Sequence, residues 1–411
     1  LDNDLFMTIV LAFLPAFRFH QDIQMNPWVV ILALAMAPAV SNGFARFAYA
    51  LILPAMRADL GWTYSMAGWI NTANAIGYLL GALLTFWLSR KVASSLLFTR
   101  GMLVTALALL ASGMTADITL LSVFRVLAGI AGAAMFISGA ALVAARFPGD
   151  PARNAFGMAL YIGGGGIGIL ASAVLLPPLL SIGGAAQWPV AWLMLGGLSV
   201  GAWLATWRIV GRLNTQQHKD GPRRLAVPWR LMLPSLAGYF LYGVGYIVYL
   251  TFIIAWMRNN DGGVVLEIAS WSCLGLGVMA SSFLWKGLLA RHKGGVPLAI
   301  ACLGSAITAV IPLIFAGTAG ILISAFGFGA VFFMGPAAVT AISKHNLPAL
   351  LWSGSIALYT TGFAFGQTLG PIGAGVIADL FGSLDHALIA GSLVLTLAAA
   401  VSVLQRQFAQ T

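Results

Sequence analysis

The chain has 411 residues, 60% of them hydrophobic and only 8% charged, with a formal net charge of +10. Ordinary globular domains carry about 25% charged residues, so this composition excludes a water-soluble fold. A nucleic-acid binder gathers its base on one soluble face; here the basic residues sit in short gaps between apolar runs, which excludes nucleic acid as a partner.

In chain order, the apolar run 5–17 is too short to cross a bilayer. It has no basic leader and no small-residue cleavage site, so it is not read as a signal peptide. Met25-Asn26-Pro27-Trp28 reads as a start, with Asn26 capping a helix that Pro27 opens. Residues 1–24 are expected to be an extension, either preceding the natural start or forming an interfacial helix.

Twelve apolar spans follow, near 28–56, 65–88, 95–115, 118–145, 155–180, 189–210, 230–257, 265–289, 296–316, 320–343, 350–378 and 386–404. Backbone polar groups in lipid must be satisfied internally, which makes these spans helices. The gaps after even-numbered spans hold Arg90, Lys91, Arg146, Arg153, Arg223, Arg224, Arg291, Lys293 and Lys344, among others. Those after odd-numbered spans hold only Arg57 and Arg258. By the positive-inside rule both termini are then expected in the cytoplasm.

The longest gap, 211–228, is polar and basic and divides the chain into expected six-helix halves at 25–210 and 229–405, with a tail at 406–411. The halves echo each other at an offset near 200: Gly43 with Gly243, Tyr49 with Tyr249, Gly77 with Gly277, Gly129 with Gly329 and Pro148 with Pro348. Six spans per half keep the repeats in one orientation. The expected architecture is all-α, with two bundles related by a pseudo-twofold along the membrane normal, as in many transporters.

The tract "GGGGIG" at 163–168 matches a dinucleotide pattern but lacks the strand, the βαβ unit and the downstream acid which that pattern requires. Gly164 and Gly168, like Gly362, Gly366 and Gly370, have the spacing that lets helix backbones approach closely. No metal cluster, catalytic triad or cofactor loop is found in the sequence, so neither an enzyme nor a cofactor is expected.

Arg46 lies inside the first span. An arginine at the bilayer centre costs about 2.5–3.5 kcal/mol on insertion scales, so it is expected to face the bundle interior or a water-filled cavity. Arg125, in the fourth span, falls at a similar depth, and every Asp and Glu lies at a terminus, loop or span edge. Two arginines without a fixed counter-ion favour an anionic guest. Asn42 and Tyr49 flank Arg46 at helical spacing; Asn71, Asn74 and Tyr78 recur in span 2; Tyr242, Tyr246 and Tyr249 recur in span 7; Gln367 adds a polar group in span 11. Arg125 also has a structural reading, bracing backbone carbonyls, and the Tyr and Asn stripes also suit helix–helix hydrogen bonds.

The chain resembles the major facilitator superfamily over about 26–405. "FRVLAG", with Arg125 and Gly129, is similar to that family's fourth-helix motif, and "GVIADLFG" to the end of its eleventh helix. "NGFARFAYALILPAMRADLGW" and "NTANAIGYLLGALL" resemble the bacterial YbfB/YjiJ-like subgroup. The signature loop after the second helix keeps Gly81, Arg90 and Lys91 but lacks its acid, having Thr85 in that place. The resemblance implies a monomeric transporter of the bacterial inner membrane, with helices 1, 4, 7 and 10 lining a central cavity. Arg46 and Arg125 then point to a small organic anion as substrate. A lipophilic-compound exporter and a non-transporting sensor or scaffold are the rival readings.

Overall fold

A computed structural model describes residues 26–89, 91–147, 149–213, 227–315 and 317–408. The expected extension at 1–24, Arg90, Pro148, residues 214–226 of the linker and 409–411 of the tail lie outside the described residues. The described chain is all-helical, without a strand.

Twelve long helical stretches follow one another: α1 Pro27–Leu60, α2 Tyr64–Leu88, α3 Ser94–Ser112, α4 Ile118–Ala144, α5 Pro151–Gly183, α6 Trp188–Gly211, α7 Leu233–Asn259, α8 Val264–Leu284, α9 Val296–Ile314, α10 Thr318–Asn346, α11 Ala349–Phe381 and α12 Leu384–Val403. Ten of these are long and apolar enough to cross a membrane. The other two, α2 and α11, carry Asn71, Thr72 and Asn74, and Gln367 and Thr368, in their middle turns, and they pack against each other.

Local signals set the helix ends. Asn26 accepts the Trp28 N–H before Pro27, Asp117 the Leu120 N–H and Asp150 the Arg153 N–H, each satisfying an orphan donor of a first turn. Gly61 and Gly382 close α1 and α11 in the left-handed conformation that glycine adopts without steric cost.

The sequence repeat is also a repeat of contacts. A side chain at Gly77 would collide with the Val126 carbonyl, and one at Gly277 with the Phe326 carbonyl; one at Gly129 would meet Asn74 O, and one at Gly329 Leu274 O. The α2–α4 crossing therefore recurs as α8–α10, shifted by about 200 residues. A second pair recurs with its partners exchanged. Asp59, ending α1, accepts Trp188 Nε1 of α6 at 2.8 Å, and Asp385 of α12 accepts Trp256 Nε1, ending α7, at 2.5 Å.

Contact between the first six helices and the last six runs along α2–α11, α5–α8 and α1–α7. The hydrogen bonds that join them lie between the midplane and the face opposite the α6–α7 linker, here termed the far face. Asp379 takes the Tyr64 and Ser65 N–H groups, Asn259 donates to the Tyr64 hydroxyl at 2.8 Å, Asn71 to Thr251 at 2.6 Å, and Thr72 to the Thr368 carbonyl at 2.9 Å. The molecule is thus fastened across its far half.

Candidate functional site

The site begins with a change in backbone register. Pro38 has no N–H to give the preceding turn, and from Ala39 to Phe47 α1 is π-helical, with Ala48 N bonding Gly43 O at 2.9 Å across five residues. This wide turn lies against α5, where side chains at Gly43, Gly164 and Gly168 would collide with Gly168, Ala35 and Ala39 backbone atoms respectively. π segments are rare and recur at functional positions. This one carries Asn42 and Arg46.

Arg46 is 5% exposed. Its Nε and Nη2 are buried without a hydrogen-bond partner. Its guanidinium carbon lies 5.3 Å from the Tyr78 ring centre and 5.8 Å from that of Phe47. Phe47 in turn touches Phe332 of α10, which packs on Tyr246 of α7.

Arg125 is fully buried and differently engaged. Its Nη2 donates to the Ala45 carbonyl in the π segment, and its guanidinium carbon sits 4.7 Å from the Trp192 ring centre and 6.0 Å from that of Tyr49. Its Nε and Nη1 have no partner. Both arginines meet at the π segment, Arg46 as one of its residues and Arg125 through the Ala45 carbonyl. Among the described residues no carboxylate pairs with either; the two ion pairs found are Arg153–Asp150 and Arg258–Glu267.

The remaining candidates divide by whether their polar groups are already used. Tyr49 donates to the Ala67 carbonyl, Asn71 to Thr251, Asn74 to the Arg125 carbonyl and Tyr242 to the Phe332 carbonyl, while Tyr249 shares a bond with Ser324. These five hold helices together. Asn42, Tyr78 and Tyr246 make no side-chain hydrogen bond among the described residues. Gln367 is 1% exposed with both amide atoms unpartnered.

Sequence reasoning missed the aromatic wall. Phe332 of α10 lies 5.4 Å from Tyr246 and 5.6 Å from Phe47, ring centre to ring centre, and Phe363 of α11 stacks on Tyr246 at 5.2 Å and on Tyr239 at 4.6 Å. Phe332 packs on Tyr246 of α7, but nothing in its spacing separates it from a lipid-facing phenylalanine. The altered turn beside Arg46 was missed as well, although Pro38, a proline inside an apolar span, was a signal that could have found it.

The packing glycines fall mostly where the helices touch. Gly81 lies against Ile130, Gly129 against Asn74 and Tyr78, Gly366 against Phe240 and Gly370 against Val244. Gly362 is an exception: a side chain there would meet nothing. Lys91 is exposed, with its ammonium 4.5 Å from the Trp87 ring centre. No group of three or more potential metal ligands occurs among the described residues.

Two solved structures of a bacterial homolog to the human lysosomal transporter Spinster share this fold. The inward-facing, unoccupied form aligns with a TM-score of 0.71 at 15% identity over 93% of this chain and 97% of the other. The inward-facing, occupied form gives 0.69 at 16% identity over 92% and 97%. No curated protein matches the sequence. Residues 38–403 match the family described as uncharacterised MFS-type transporter YbfB. The chain is therefore a multi-pass membrane protein of the major facilitator superfamily, and belongs to the family of MFS-type transporters represented by YbfB.

Proposed function

We propose that this transporter moves a small organic anion across the bacterial inner membrane by alternating access, with two six-helix bundles rocking about a central site and both termini in the cytoplasm. The supporting observation is the buried Arg46 fork: Nε and Nη2 present the parallel N–H pair that matches a carboxylate, and no group in the described chain occupies it. Buried polar groups are almost always satisfied, so a guest that fills this fork removes a cost the empty protein carries. The hydrogen bonds concentrated toward the far face support a resting state closed on that side. The inward-facing conformations of the Spinster homolog are consistent with this. The bilayer and an anionic small molecule are its partners, and it works as a monomer.

The test is anion uptake into proteoliposomes by purified protein and by Arg46→Gln. Loss of uptake with an unchanged unfolding temperature is expected. Unchanged uptake would remove the site, and uptake confined to neutral or cationic lipophilic compounds would favour an exporter of those compounds.

A further inference from the structure

Resting on the anion reading, we infer that the guest is a hydroxylated carboxylate. Arg46 of the first half takes its carboxylate, and the Gln367 amide of the second half takes a hydroxyl on its body.

Gln367 lies at the level of Arg46. Arg46, Tyr78, Tyr246 and Gln367 stand 13 or 14 residues from the far-face ends of α1, α2, α7 and α11 respectively. At about 1.5 Å per residue this is about 20 Å along each helix. Four helices, two from each half, thus bring one polar side chain each to a common layer.

The neighbours of Gln367 fix where it points. Side chains at Gly366 and Gly370 would strike the α7 backbone at Phe240 and Val244. The Thr368 carbonyl accepts the Thr72 hydroxyl of α2, and the Pro371 carbonyl lies against Gly68 of the same helix. Phe365 and Leu369 are exposed on the outer surface. With about 3.6 residues per turn, Gln367 falls between the α7 and α2 contacts and opposite Phe365 and Leu369. It therefore faces the interior. The same two helices carry Tyr78, whose ring centre is 5.3 Å from the Arg46 guanidinium carbon, and Tyr246, joined through Phe332 to Phe47. A guest that bonds both Arg46 and Gln367 bridges the two halves.

The chemistry of the unpartnered groups selects the guest. A carboxylate only accepts and the Arg46 fork only donates, so the two match. Gln367 is different: its amide nitrogen and oxygen are both buried without a partner, and the oxygen needs a donor that a carboxylate cannot give. Ser41 and Asn42, one π turn before Arg46, are also buried, and the Ser41 hydroxyl has no partner. Each of these neutral groups both donates and accepts. A plain aliphatic acid would fill the fork and leave them unpaired. An ammonium group would supply a donor, but it would be buried with two arginines and without a counter-charge, since the carboxylates of both ion pairs lie elsewhere. A hydroxyl donates and accepts without charge, and Nε and Nη1 of Arg125 add further donors beside the π segment.

The experiment is calorimetric titration of the full chain in detergent with glycerate, threonate and gluconate, each set against the plain acid of the same chain length (propionate, butyrate, hexanoate), and with sorbitol. Three lengths sample the span between carboxylate and hydroxyl. At least one hydroxylated acid is expected to bind about tenfold or more tightly than its plain counterpart and than sorbitol. Gln367→Leu, apolar and of similar bulk, is expected to remove the first preference and Arg46→Gln the second, each with the unfolding temperature unchanged or raised. If every plain acid binds as tightly as its hydroxylated counterpart, if no hydroxylated acid binds, or if Gln367→Leu leaves the preference intact, this inference falls while the anion reading stands. If sorbitol binds as tightly as the hydroxylated acids and Arg46→Gln changes neither, both fall.

Discussion

Asp379, near the end of α11, accepts the backbone N–H of Ser65 at 2.8 Å and its hydroxyl as well. With the Tyr64 N–H on its other oxygen, this carboxylate caps the first turn of α2 from the opposite half of the chain. A negative charge at a helix N-terminus is favoured by the unpaired N–H groups and by the dipole. A transporter must break this cap to open its far face. Asp379→Asn, which keeps the shape but not the charge, is expected to weaken closure by on the order of 1–2 kcal/mol. Distances between spin labels at Thr63 and Phe381, in a background without Cys273 and Cys302, would then shift toward longer values. An unchanged distribution would show that closure does not depend on this cap.

The two arginines should separate in their effects on stability. Arg125 makes a backbone hydrogen bond and lies over two rings, and a desolvated cation–π contact is worth about 2 kcal/mol. Arg125→Gln is expected to lower the unfolding temperature by several degrees. Arg46→Gln is expected to leave it unchanged or raise it, because it removes a buried charge without hydrogen-bond partners. Equal losses in the two variants would contradict the division of roles.

The π segment of α1 gives a test by bulk. A methyl group at Gly168 would strike the Ala39 carbonyl, whereas one at Gly163 would meet nothing within 4 Å. Gly168→Ala is expected to cost about 1–3 kcal/mol by overpacking. Gly163→Ala should be neutral or slightly stabilising through the helix preference for alanine. Thermal unfolding of both variants, with uptake measured in parallel, checks the pair.

Glu267 is almost fully buried and pairs with Arg258, Nε to carboxylate at 2.6 Å. Glu267→Gln leaves the guanidinium without its counter-charge at the α7–α8 turn. Removing one partner of a buried pair typically costs about 3–5 kcal/mol, and Arg258 is partly exposed, so a loss of about 2–3 kcal/mol is expected. Arg153→Gln, which breaks an exposed pair with Asp150, should cost under about 1 kcal/mol. Denaturation in mixed micelles would compare the two.

The membrane class, the positions of the helices and the internal repeat were all legible, because lipid enforces long apolar runs and because Gly77, Gly129, Gly277 and Gly329 mark backbone contacts that no other residue fits. Arg46 was legible too, as a charge where hydrocarbon penalises charge. The state of each polar group was not. Tyr49 and Tyr249 stand at equivalent positions, yet one bonds a carbonyl of α2 and the other a serine of α10. Spacing cannot say which hydroxyl is already spent. The aromatic wall was hidden for a different reason: Phe363 lines it, while Phe365, two residues on, is 53% exposed on the outer surface. In a bilayer both faces of such a helix accept phenylalanine.

The exchanged Asp–Trp pairs have a mechanical consequence. Each ties the end of one half's opening helix to the beginning of its closing helix, so either half is clasped into a hoop without help from the segment joining the two. Severing that segment and producing the pieces together should yield hoops that still find each other along α2–α11 and α5–α8, and a nicked carrier that still turns over.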